Sequence, residues 1–212
     1  HAVYYGVPLA EVETHRLTAA GLNAKRQELG IAPGPTVVCA ARLHFSKSLD
    51  TLVEAARQVV DRLPDAQFLL AGDGQELENL KGLRDRLQLR EHFHFLGARN
   101  DIYEIFQLAD VVTLCSLWEG LGFSLMEGMA FDKPLVGTDV AGINEIVVHN
   151  RNGLLVPPRS PAALAQALCV ILANPARAEE MSRASRKVLA ERFDVNRNAQ
   201  KLIDLYRKLL GD

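Results

Sequence analysis

Between Pro35 and about Ala173 the sequence switches repeatedly between short unbroken apolar runs and longer stretches with apolar residues every three or four positions. Residues 37–41, 68–71, 94–96, 111–114, 135–137 and 154–156 form runs too short for helices and read as strands. Leu49, Leu52, Val53, Ala56, Val59, Val60 and Leu63 lie between two of them and make one apolar stripe of helical period. Leu77, Leu80, Leu83 and Leu87 repeat the pattern, as do Ile102, Ile105, Phe106 and Ala109. Strands without polar alternation are buried on both faces, and strand–helix alternation connects them in parallel. The expected fold class is therefore α/β, a doubly wound parallel sheet of Rossmann-like type. From Pro161 onward only helical stripes remain, over 162–172, 175–191 and 196–210, with breaks at Asn174-Pro175 and Phe193-Asp194.

A chain of 212 residues fits one such domain and needs no disulfide or metal staple. Its net charge of −2 gives no basic field for collecting nucleic-acid phosphates, so no nucleic-acid partner is expected. Cys39, Cys115 and Cys169 each sit among apolar neighbours, which favours buried reduced thiols. No C-x-x-C or D-x-D spacing occurs, so neither a zinc site of that kind nor a metal–diphosphate bridge is indicated. No apolar run reaches the roughly 18–20 residues of a transmembrane helix, and the first residues do not resemble a signal peptide. Cytoplasm is the default location. The initial His1, where a native start would carry Met, reads as an expression boundary or tag remnant.

In an open α/β sheet, ligands bind outside the carboxyl ends of the strands, which directs attention to four loops. Arg42 and Lys47 lie five residues apart after the first strand, either as a cradle for a diphosphate or as solvated surface cations. Gly72-Asp73-Gly74 follows the second strand, and reads as a simple turn or as a close approach of backbone to ligand. It lacks the third glycine of a dinucleotide fingerprint and the ending of a P-loop. The third loop runs from Ser116 through Glu119 and Gly122 into a helix expected to begin near 122–124, whose amides favour a phosphate or sugar oxygen. Within it, Ser124 and Glu127 have the spacing of a capping box, a structural alternative for that glutamate. Helical rise over eight residues would part Glu119 and Glu127 by about 12 Å, and although Glu119 lies off the helix this disfavours a glycosidase pair. Residues 138–145 form a fourth strand-to-helix loop with Gly142 and Asn144. His92 and His94 share one strand face and read, with the other histidines, as structural. Trp118 and Phe123 either flank a ligand or pack in the core.

Glu119-Gly120-Leu121-Gly122-Phe123-Ser124-Leu125-Met126-Glu127, then Lys133-Pro134 and Ala141-Gly142-Ile143-Asn144-Glu145, resembles the group 1 (family 4) retaining glycosyltransferases. The E-x7-E pattern, the Arg42–Lys47 loop and the Gly-Asp-Gly turn occur in that family's order, and the likeness covers nearly the whole chain. It implies the C-terminal, donor-binding half of a GT-B fold, with a nucleotide-sugar donor as substrate, no cofactor and no metal. Arg42 and Lys47 would hold the diphosphate and steady it as a leaving group, and Glu119 would contact the donor sugar, these three being the catalytic candidates. The amides of Gly122, Phe123, Ser124 and Leu125 would touch sugar and phosphate, Glu127 the ribose hydroxyls, and Gly74, Ala98 and Arg99 would lie along the nucleotide.

The same resemblance divides the chain into a lead-in over 1–34, a nucleotide-sugar-binding domain over 35–192 and a crossover helix over 193–212. It implies a missing N-terminal acceptor domain, so donor binding without efficient transfer is expected. That domain would also carry any peripheral membrane attachment. Three positions depart from the family: Ser48 stands where Gly is usual, Gly128 replaces a common Ala, and Tyr5 replaces Asn in the entry segment. A stand-alone nucleotide-binding module completed by a partner chain, or a non-catalytic scaffold, are the alternatives. Intact Arg42, Lys47, Glu119 and Glu127 argue against the scaffold.

Overall fold

The computed structural model describes residues 4–210. In chain order the elements are α1 (Leu9–Glu13), α2 (Ala19–Glu28), β1 (Thr36–Ala40), α3 (Leu49–Val60), β2 (Gln67–Ala71), α4 (Leu77–Arg86), β3 (Phe93–Gly97), α5 (Ile102–Gln107) and β4 (Val111–Leu114). They continue with α6 (Phe123–Ala130), β5 (Leu135–Thr138), β6 (Gly153–Val156), α7 (Pro161–Leu172), α8 (Pro175–Arg192) and α9 (Val195–Leu210). All six expected strands are present, and they pair in parallel in the order β3-β2-β1-β4-β5-β6. The apolar runs are unbroken because both faces are covered. Helices α3, α4 and α7 pack together, and α5, α6 and α8 make a second packed group.

The stripe read on α3 is the buried one: Leu49, Leu52, Val53, Ala55, Ala56, Val59 and Val60 all face the interior. Each large apolar side chain so buried contributes roughly 1.5–3 kcal/mol before entropy is counted. Phe68 and Phe93 stack across β2 and β3 with centroids 5.8 Å apart. Cys39 and Cys115 are buried free thiols, and burial pushes the Cys39 thiol up to about 12. Cys169, expected to be buried with them, is only half-buried on α7.

Two helices in the lead-in segment escaped the periodicity reading. Thr18 caps α2 by accepting the Gly21 amide, but α2 buries no side chain and carries no apolar stripe. The segment after β5, expected to lead into a helix, instead passes through consecutive turns, with the amides of Ile143 and Asn144 both bonded to the Val140 carbonyl. At the other end of the chain α9 buries only Asn198, and leaves Leu202, Ile203, Tyr206, Leu209 and Leu210 exposed. The lead-in is fastened to this tail. Val7 bridges Asp194, the Val7 amide donates to the Phe193 carbonyl at 2.8 Å, and Tyr4 packs edge-on against Phe193. Among the described residues no helix is long and apolar enough to cross a membrane.

Candidate functional site

The strand order reverses between β1 and β4: β2 and β3 run out to one side, β5 and β6 to the other. Such a switch point leaves a crevice at the carboxyl edge, because the loops leaving the two central strands part in opposite directions. The Arg42–Lys47 loop leaves β1 there, and the Ser116–Glu127 segment leaves β4.

The first loop is held from below. Leu43 is buried, its amide donates to the Asp73 carbonyl at 2.9 Å, and its carbonyl accepts from the Glu76 amide. Gly74 is required for this approach: a Cβ there would lie 2.3 Å from the Leu43 carbonyl oxygen. The Gly-Asp-Gly turn therefore supports the cation loop from behind, and Gly74 does not line the cavity described below. A short 3₁₀ turn over Phe45–Lys47 follows, with the His44 Nδ1 accepting the Ser46 amide at 3.3 Å. Ser48 closes it in the left-handed conformation, φ 46°.

The second loop is zipped onto the first. The Leu117 amide donates to the Ser46 carbonyl at 2.7 Å, and the Cys115 thiol donates to the carbonyls of Lys47 and Ser48. Gly142, at φ 82°, packs its Cα face against the Glu119 carbonyl, where a Cβ would come within 2.5 Å. These contacts bring Lys47 and Glu119 together as an ion pair, and the Ser116 hydroxyl donates to the same carboxylate oxygen, Oε2, at 3.0 Å.

A cavity of about 580 Å³ opens between the loops. Arg42, His44 and Lys47 line one side; Glu119, Gly122, Phe123, Ser124 and Glu127 line the other. Helix α6 starts at Phe123 with Gly122 as its N-cap, and no side chain caps it. The capping box is therefore not formed: Ser124 already lies inside the first turn, where the Phe123 and Leu125 amides donate to the carbonyls of Leu121 and Gly122. Glu127 instead borders the cavity, and burial raises its carboxyl to about 7. Trp118 and Phe123 are both about half exposed, which excludes the core reading for them. Phe45 meets Trp118 edge-on at 5.5 Å and carries the His44 ring at 4.3 Å.

Not every expected residue converges here. The Leu125 side chain is buried in the core, and its amide, the group expected to meet the ligand, donates to the Gly122 carbonyl at 3.0 Å. Ala98 and Arg99 follow β3, at the outer edge of the sheet, and neither lines the cavity. Arg99 is engaged by Asp101 at 2.6 Å and Glu28 at 3.5 Å, and Asp101 also pairs with Lys25. His92 and His94 do make structural bonds, to the Ala66 carbonyl and to Gln67. His44 was grouped with them from sequence and is instead a cavity residue; its place between Arg42 and Lys47 was the available signal. Among the described residues no group of three or more His, Cys, Asp or Glu side chains is placed to hold a metal ion.

A doubly wound sheet with cations, a glycine-flanked helix start and two carboxyls gathered at its switch point defines the class: a Rossmann-like domain with a polar crevice at the carboxyl edge of its sheet. A family model described as group 1 glycosyl transferases matches residues 23–188, and the chain belongs to that family. It is similar to a GDP-mannose-dependent alpha-(1-6)-phosphatidylinositol monomannoside mannosyltransferase of Mycobacterium tuberculosis, 31% identical over 96% of this chain and 55% of the relative. An alpha-D-kanosaminyltransferase of Streptomyces kanamyceticus is 29% identical over 95% of this chain and 54% of its own length. The crystal structure of Anabaena HepE in complex with UDP superposes with a TM-score of 0.90 at 25% identity, covering 98% of this chain and 57% of that one. The chain thus spans about half the length of the relatives it matches.

Proposed function

We propose that the chain is the donor-binding half of a retaining, metal-independent hexosyltransferase that uses a nucleotide-diphosphate sugar and works in the cytoplasm. The observation that carries this reading is the convergence of Arg42, Lys47, Glu119 and Glu127 on one cavity at the switch point. Sugar transfer builds positive charge on the anomeric carbon and negative charge on the departing diphosphate. Fixed cations and helix amides at that diphosphate favour the transition state over the ground state. On this reading Arg42, Lys47 and the Ser124 amide at the start of α6 take the diphosphate, Glu119 the sugar and Glu127 the ribose. HepE supports this by likeness, having been solved with UDP and with UDP-glucose.

The acceptor is supplied to this site by a second domain, which residues 1–34 and 193–212 join to the donor half. The chain alone binds donor and transfers poorly. The base is open between uridine, guanosine and adenosine. Metal-free calorimetric titration with UDP, GDP and ADP, alongside Lys47→Ala and Glu127→Ala, tests the proposal. Saturable binding of one nucleotide, weakened by both substitutions, is the expected result; no binding of any by folded protein overturns it.

A further inference from the structure

We infer that Ser116 is a positioning residue for the donor sugar, its buried hydroxyl holding Glu119 in place when Lys47 turns to the diphosphate. This rests on the donor-site reading above. Ser116 is wholly buried at the end of β4, and its hydroxyl donates to Glu119 Oε2 at 3.0 Å. A buried hydroxyl needs a partner, and here that partner is a carboxylate bordering the cavity. Lys47 pairs with the same oxygen, while Oε1 accepts from no protein donor among the described residues. The arrangement is anchored one strand further along: the buried Thr138 hydroxyl at the end of β5 donates to the Ser116 carbonyl at 2.6 Å.

The two donors on Oε2 differ in how they respond to ligand. An arriving diphosphate competes directly for the Lys47 ammonium, because a charge-assisted bond to phosphate replaces the one to carboxylate. Ser116 has no such competitor, being sealed from the cavity. Glu119 precedes Gly120 and Gly122 in a loop with little of its own to fix a carboxylate. With Lys47 gone, the Ser116 bond is what keeps Oε1 aimed at a sugar hydroxyl. Ser116 thus acts on the sugar through Glu119, and it acts on the nucleotide weakly.

The test is calorimetric titration of wild type and Ser116→Ala with UDP and UDP-glucose, with GDP and GDP-mannose, and with ADP and ADP-glucose. The ratio of sugar-nucleotide affinity to nucleoside-diphosphate affinity should fall about tenfold in Ser116→Ala, as expected for a lost bond to a charged group. Ser116→Cys, nearly isosteric with a weak donor, should recover part of it. In a Glu119→Ala background, Ser116→Ala should change the ratio no further, since coupled residues lose their interaction only once. Equal losses for both ligands, or an unchanged ratio in folded protein, overturn the assignment and leave the donor site standing. Failure of folded wild type to bind any of the three diphosphates overturns the donor-site reading, and this assignment with it.

Discussion

Lys47 and Glu119, 72 residues apart in sequence, form an ion pair across the switch point, with side-chain exposures of only 20% and 14%. On the proposed reading, one cation meant for the diphosphate is thus neutralised by the acid meant for the sugar. Glu119→Gln should release it. We predict a UDP affinity about fivefold higher, on the order of 1 kcal/mol for a partly exposed pair, with the gain shrinking as salt is raised. An unchanged affinity at low salt in calorimetry would show that the pair places no restraint on the cation.

Glu127 sets a pH dependence. Its carboxyl ionises near 7 in the folded chain and near 4.5 when exposed, with burial as the cause. The folded state therefore holds an extra proton between those values, and stability falls as pH rises from 4.5 to 7, then levels. Glu13 is pulled down to about 2 by Arg16 and Arg186, so its stabilisation is lost only as pH falls below about 4.5, in a separate window. Denaturant midpoints of wild type and Glu127→Gln should coincide near pH 4.5 and separate toward pH 7, the variant being the more stable. Parallel curves from pH 5 to 8 would contradict this.

Ser48 occupies a left-handed position where a glycine is usual in the family, and its hydroxyl bonds Thr51 at 2.9 Å and Asp50 at 3.2 Å. Ser48→Ala keeps the strained backbone and loses the bonds, for a cost of about 1 kcal/mol. Ser48→Gly relieves roughly 1 kcal/mol of strain while losing the same bonds, so its melting temperature should stay close to wild type. The reverse order of the two variants would refute the strain argument.

The space beside Gly128 explains the glycine expected to stand in place of an alanine there. A Cβ there would lie 2.8 Å from Val112 Cγ2, a stiff β-branched side chain on β4. Overpacking of this kind costs about 1–3 kcal/mol, and the better helix propensity of alanine returns about 1. Gly128→Ala should therefore destabilise, and Val112→Ala combined with it should cost less than the sum of the two single changes. Additive losses in thermal unfolding would remove the steric explanation.

The strands were legible in the sequence because burial on both faces leaves no polar alternation in residues such as those of β2 and β4. Arg42, Lys47, Glu119 and Glu127 were found from the strand-end rule and the family spacing, and all four line the cavity. What escaped reading was decided by partners distant in sequence or by a competing cap. The box at Ser124 and Glu127 fails because α6 already begins at Phe123, capped by Gly122. Arg99 is claimed by Asp101 and Glu28, and Gly74 by the Leu43 carbonyl. Helix α2 gave no periodic signal because it buries nothing.

The clamp between Val7 and Asp194 has a mechanical consequence. The segment entering the domain at Val7 and the segment leaving it toward α9 at Asp194 run side by side and are tied at one point. Pull on either segment is therefore shared with the other through the bonds from the Val7 amide to the Phe193 carbonyl and from the Val195 amide to the Val7 carbonyl.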